Sequence, residues 1–226
     1  MRVIALETST EYCSAAVWHD GVIAERSVLA GQRHSELLIE MLDAVLADAG
    51  FGIRDMHGVA FGKGPGSFTG VRIACGAAQG LAFGTEIPVV GICSLEALAQ
   101  ASGKSRVIAA LDARMGEIYH AAYEKRGEAW VAVSGPCLCK PEAAPQLPEG
   151  EWFGAGSGFA THGQALRQRY ARQLQDVDAA AVPQAAAIAT LGAAQLKIGR
   201  GVDAAEALPL YLRDKVAQKT SERDLH

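Results

Sequence analysis

Short apolar runs open the chain, and longer helical spacings follow them. Residues 3–6, 13–18 and 22–27 predict three strands, with His19-Asp20-Gly21 as the hairpin turn between the second and third. Leu38, Leu42, Val45 and Ala49 then recur at helical spacing, with Ser35 placed to cap that helix and Gly50 to end it. A fourth strand is predicted at 58–62, then a glycine-rich loop and a helix over about 68–83. A fifth strand follows at 87–92, and Ser94 is placed to cap a short helix after it.

The second half repeats this order. Residues 106–113, 117–124 and 129–134 predict three strands, a proline-rich connection covers 140–150, and 151–156 reads as another strand. Helices are predicted over 158–174 and 182–199, the latter with Pro183 in its first turn. Three antiparallel strands followed by alternating helix and strand, written twice, predict an α/β chain of two related lobes. That is the actin-like, sugar-kinase and Hsp70 class (ASKHA, RNase H-like) with duplicated β-β-β-α-β-α topology. The expected division is 1–103 for the first lobe and 104–209 for a smaller second lobe, the tail 210–226 completing the first.

Composition narrows the picture. The 226 residues suffice for two lobes, and with 50% hydrophobic but only 6% aromatic residues the core must be mainly aliphatic. No apolar run reaches the roughly 18 residues of a membrane span, and the opening "MRVIALETST" lacks the h-region of a signal peptide, so a cytoplasmic protein is expected. The five cysteines are scattered without a CxxC pair and read as reduced small hydrophobes. Cys137 and Cys139 form a CxC, but no His or further Cys lies near them in sequence to complete a tetrahedral metal set. A net charge of −4, from 21 basic and 25 acidic residues, argues against binding nucleic acid alone, and Arg167, Arg169 and Arg172 read as a solvated helix face.

The stretch "GKGPGSFTGVRIACGAAQGLAFG" from Gly62 carries the strongest local signal. It fails the P-loop pattern, because Lys63 precedes the turn and Gly70 is followed by Val71 and Arg72. It also fails the dinucleotide fingerprint, since Ser67 and Thr69 stand where glycines are needed. Two readings fit: Ser67 or Thr69 caps a helix whose free N–H groups face an anion, or glycine simply permits a sharp turn. In the helix itself, Gly70, Ala74, Ala77, Ala78, Gly80 and Ala82 are small, and glycines at 70, 76 and 80 each cost something near 1 kcal/mol. The preceding helix carries Leu37 and Met41 beside its apolar stripe. Both helices fit either a partner or a second internal layer.

ATP chemistry on this fold class uses Asp-x-Gly-[ST] turns after the first strand of each lobe. Here the turns read Glu7-Thr8-Ser9-Thr10 and Asp112-Ala113-Arg114-Met115-Gly116, and both are degraded. "GAGSG" at 154–158 fits either a remnant adenosine-side turn or a plain glycine loop. The histidines show no HxxxH or HExxH spacing, and no G-x-S-x-G elbow is present.

The segments "ALETST", "CSAAV", "HSELL", "GPGSFTGVRIACGAAQGLA", "SLEALA", "ALDARMGEIYHAAY" and "LYLRD" resemble, in order and spacing, the bacterial TsaB (YeaZ) family. The resemblance covers essentially the whole chain. It implies a role in making N6-threonylcarbamoyladenosine beside the anticodon of tRNAs that read codons beginning with A. It further implies a non-catalytic subunit that pairs with a catalytic paralogue, TsaD, joined by the ATPase TsaE, or with itself when alone. The paralogue's metal-binding HxxxH corresponds here to Ser94 and Leu98, and leucine cannot ligate. On this reading the chain has no catalytic residue, no metal and no cofactor of its own, and it meets tRNA only through the complex. The partner interface is expected at Leu37, Met41, Gly70, Val71, Ala74 and Ala78. Gly66, Ser67 and Thr69 are candidate contacts for an anion, or for ATP or ADP shared with partners. The rival readings are an autonomous actin-fold ATPase or kinase and a metallopeptidase-like hydrolase.

Overall fold

The computed structural model describes residues 1–213. Strands β1 (Arg2–Glu7), β2 (Tyr12–His19) and β3 (Val22–Leu29) are followed by helix α1 (His34–Ala49), β4 (Gly58–Gly64), α2 (Phe68–Thr85), β5 (Val89–Cys93) and α3 (Ser94–Ala101). Then come β6 (Arg106–Arg114), β7 (Glu117–Arg126), β8 (Ala129–Cys139), β9 (Trp152–Ala155), α4 (Ser157–Arg169), β10 (Leu174–Asp178) and α5 (Ala185–Lys197). The first sheet has the order β3-β2-β1-β4-β5 and the second β10-β9-β6-β7-β8, so the two are wound alike. In each, the first three strands are antiparallel and the last two join parallel to the first. Two sheets of this winding in one chain make the two-lobed actin-like fold.

The first sheet is buried on both faces, which is why "VIAL" in β1 is a continuous apolar run rather than an alternation. Ile4 and Leu6 face α1 and α2, while Val3 and Ala5 face α5. Gly192 lets α5 lie directly on β4, since a Cβ there would run into that of Ala60. Conversely, Leu95, Leu98 and Ala99 of α3 pack into the second sheet's cluster with Val107, Ala109 and Leu111, and α4 covers the other face. Each lobe's final helix therefore serves the other half or the space between. This corrects the expected division: 104–209 describes the second sheet, but α5 packs on the first, because its small apolar face matches the open side of β1, β2 and β4. Of the tail expected to complete the first lobe, 214–226 lie outside the described residues.

Local expectations fare unevenly. Asp20 (φ 48°) and Gly21 (φ 95°) form the hairpin turn, and left-handed Gly50 (φ 74°) ends α1. Ser35 is not the cap: it lies inside α1 behind Arg33, while the buried His34 reaches the carbonyl of Thr10 at 2.8 Å. Ser94 starts α3 but spends its hydroxyl on Glu7 instead of the helix. Pro183 precedes α5, whose N-cap position is Gln184. The helix expected to reach 174 stops at Arg169, and 174–178 form the parallel strand β10, which no expectation covered. Alternation there is too short and too polar to separate a strand from a helix end.

Candidate functional site

The glycine-rich loop between β4 and α2 lies on the turn that follows β1. Ser67 N–H donates to the Ser9 carbonyl at 2.7 Å, and Thr8 Oγ1 donates to the Gly70 carbonyl at 2.7 Å. A Cβ at Gly62 would meet the Glu7 carboxylate, one at Gly66 the Ser9 carbonyl, and one at Gly70 the Thr8 carbonyl. The glycines are thus demanded by close approach of the chain to itself. Ser67 caps α2, its Oγ accepting from Gly70 N–H at 3.4 Å. Of the candidate anion contacts, Ser67 has its own amide committed to Ser9, Gly66 is pressed against the same residue, and Thr69 is exposed. The sharp-turn reading describes this loop.

Glu7 sits beneath it, fully buried. Its carboxylate accepts from Ser9 N–H and from Ser94 Oγ at 2.8 Å. Burial pushes its pKa up, against the downward pull of the Ser9 and Ser94 hydrogen bonds. Leu98, one turn further along α3, is fully buried in an apolar cluster. The two positions are therefore filled by a hydroxyl–carboxylate bond and a core leucine. Among the described residues, no group of three or more His, Cys, Asp or Glu is placed to hold a metal ion.

The second turn is built differently. Arg114, Met115 and Gly116 are all left-handed, with φ of 65°, 56° and 74°. Asp112 Oδ1 accepts from Arg114 N–H at 3.1 Å, and Ser157 Oγ accepts from Asp112 N–H at 3.1 Å. Arg213 straps the turn from outside, donating to the Ala113 carbonyl at 3.0 Å and pairing with Glu117 at 2.8 Å. Gly156 and Gly158 of "GAGSG" lie against Ala110, where a Cβ would clash, so this loop seats α4 on β6.

Four of the residues expected at a partner interface face inward. Val71, Ala74 and Ala78 are at most 1% exposed, the two alanines in the first core cluster, and Gly70 is buried on Thr8. The physical reason is the sheet: α2 can cross β1 and β4 closely only on a face of small side chains. Leu37 and Met41 are half-buried at the rim of the same core. The outward face of α2 instead carries Gly76, Gly80 and Gly84, where an added Cβ would meet nothing within 4 Å. Phe83 beside them is 81% exposed, and Ile39 on α1 is 54% exposed. The four-residue spacing of these glycines is visible in the sequence; which face of the helix points out is not.

Among known proteins, the family model described as TsaD, tRNA N6-adenosine threonylcarbamoyltransferase, matches residues 19–221. The "tRNA threonylcarbamoyladenosine biosynthesis protein TsaB" of Escherichia coli is 36% identical, covering 97% of both chains. The chain belongs to the TsaB family. A second family member, from Haemophilus influenzae, is also 36% identical, over 97% of this chain and 96% of its own. A solved structure of YeaZ from Pseudomonas aeruginosa superposes with a TM-score of 0.85 at 36% identity, covering 93% of this chain and 99% of that one. The family model spans the second turn and the helices around both turns, and both relatives cover 97% of this chain.

Proposed function

We propose that this chain serves the biosynthesis of tRNA N6-threonylcarbamoyladenosine as a non-catalytic subunit, pairing with the TsaD paralogue and working with the ATPase TsaE. Membership of the TsaB family supports the pathway. The observation that carries the non-catalytic part is the buried Glu7–Ser94 bond with the 62–70 loop packed over it. A phosphate or acyl-adenylate would have to displace hydrogen-bonded backbone to enter there.

The pairing surface is the outer face of α1 and α2. Gly76, Gly80 and Gly84 leave α2 smooth enough for another helix to approach, and Phe83, Ile39 and the rims of Leu37 and Met41 surround them with apolar area. The same face accounts for self-pairing in the absence of the paralogue. Net charge −4 supports tRNA binding through the complex rather than by this chain alone. ATP or ADP belongs in the proposal only at a site that a partner completes, with exposed Thr69 on this chain's side.

Reconstitution with each component omitted is the test. This chain alone should neither modify tRNA nor turn over ATP, and its omission should stop modification by the remaining components. Steady ATP turnover by the purified chain would favour the autonomous ATPase instead.

A further inference from the structure

Away from both turns, the fold assembles a group that sequence spacing did not reveal. No His neighbours Cys137 and Cys139 along the chain, yet strand pairing sets His120 opposite Cys137 and Ile118 opposite Cys139. The two cysteines are two apart on β8, the last strand of the sheet, so both side chains share one face with His120. Both thiols are half-buried, whereas His120 is fully buried.

The tautomer of His120 follows from its neighbours. Tyr170 has one hydroxyl proton, and a carbonyl can only accept, so that proton goes to the Pro145 carbonyl at 2.9 Å. The Tyr170 oxygen, 2.8 Å from His120 Nε2, must then accept, which places the imidazole proton on Nε2. Nδ1 is left with a free lone pair, buried and without a hydrogen-bond partner among the described residues. Tyr170 also stacks on the ring at 6.0 Å and holds its plane. A tautomer-locked imidazole beside a thiol is the arrangement that activates a sulfur nucleophile.

We propose that Cys137 and Cys139 form a peroxide-oxidisable dithiol, with Cys137 as the attacked thiolate and His120 as its base. His120 Nδ1 takes the Cys137 proton. The thiolate attacks the nearer oxygen of a hydroperoxide, the O–O bond breaks, and Cys137 becomes a sulfenic acid as hydroxide leaves and is protonated. Cys139 sulfur then attacks that sulfur, a disulfide forms, and the sulfenic oxygen departs with the Cys139 proton as water. With hydrogen peroxide the two thiols are oxidised to one disulfide and the peroxide is reduced to two waters. Residues two apart on a strand have Cα atoms about 6.4–6.8 Å apart, at the upper end of what a disulfide spans, so closing the bond draws the two residues together by bending the edge strand β8.

The electrostatics agree with these roles. The Cys137 thiol is held down to about 5, first by Cys139 and then by His120, which donates from Nδ1 only once that nitrogen has taken the proton, against the upward push of burial. Cys139 is pushed up, first by its bond to Cys137 and then by burial, so it keeps its proton until the second step. Glu117 on β7 raises it further and Arg169 on α4 opposes that.

Iodoacetamide labelling of the reduced full chain, read by peptide mass spectrometry, tests the proposal without a variant. The Cys137 rate should change less than about two-fold between about pH 6.5 and 8.5, where an ordinary thiol rises roughly fifty-fold. Stoichiometric hydrogen peroxide should link Cys137 to Cys139 with loss of two hydrogens, while Cys139→Ser should leave a dimedone-reactive sulfenate on Cys137. Tyr170→Phe, which unlocks the tautomer, should steepen the pH profile. A wild-type Cys137 rate that climbs through pH 8.5 like a free thiol, or peroxide that leaves the pair reduced, overturns it.

Discussion

On the inner face of α2, Ala74 and Ala78 are fully buried against the first sheet, while Gly76, Gly80 and Gly84 on the outer face have open space around them. Both faces are small, but the inner one is small because β1 and β4 already occupy the space. Glycine on the outer one costs helix stability, roughly 1 kcal/mol at each position, with no intrachain contact in return. A residue type that lowers stability and touches nothing points outside the chain for its reason. The comparison teaches that one helix can be small on two faces for different reasons, and that only the inner one is explained by the chain's own packing.

The strongest way to break this contrast is Ala78→Glu. It overpacks the core and buries an unpaired charge, each term costing at least about 1–3 kcal/mol, so we expect an unfolded or insoluble product. A folded Ala78→Glu protein of normal melting temperature would place the inner face outside. Next in size is Gly70→Val, whose Cβ meets the Thr8 carbonyl; a loss of about 1–3 kcal/mol in urea unfolding is expected, with the fold retained.

Glu7 sharpens the comparison from beneath the loop. Its folded pKa is raised by burial, so the native state holds the proton more tightly than the unfolded chain does. Its stabilising contribution is therefore complete below the ordinary value of 4.5 and declines as pH rises through the folded value. Subtracting urea melts of Glu7→Gln from those of wild type cancels the other titrating groups, and the difference should fall with rising pH. A difference that grows with pH would mean that the carboxylate is stabilised there.

The smallest effect on stability, and the most diagnostic for pairing, is expected from Gly80→Glu. Replacing an exposed helical glycine should leave the melting temperature unchanged or raise stability by up to about 1 kcal/mol. It should nonetheless abolish self-association in size-exclusion chromatography and stop tRNA modification in the reconstituted system. Normal pairing by this variant would remove the outer face of α2 from the interface.

Much of this was legible in the chain itself. Periodicity located every strand but β10, and the glycine at 50 and the Asp20-Gly21 turn carried their own backbone geometry, because such features depend on residues close in sequence. The sequence also determined that Glu7-Thr8-Ser9-Thr10 offers no glycine and that Leu98 offers no ligand atom. Packing decided the rest. Which face of α2 turns inward depends on the sheet below it, and α5 crosses to the first sheet because that sheet's second face needs an aliphatic cover. His120 meets Cys137 only through the register of two strands, 17 residues apart in the chain by their numbers. Local preferences act over a turn or a hairpin; the choice of neighbour across a sheet is made by the burial of whole faces, and only the folded chain expresses it.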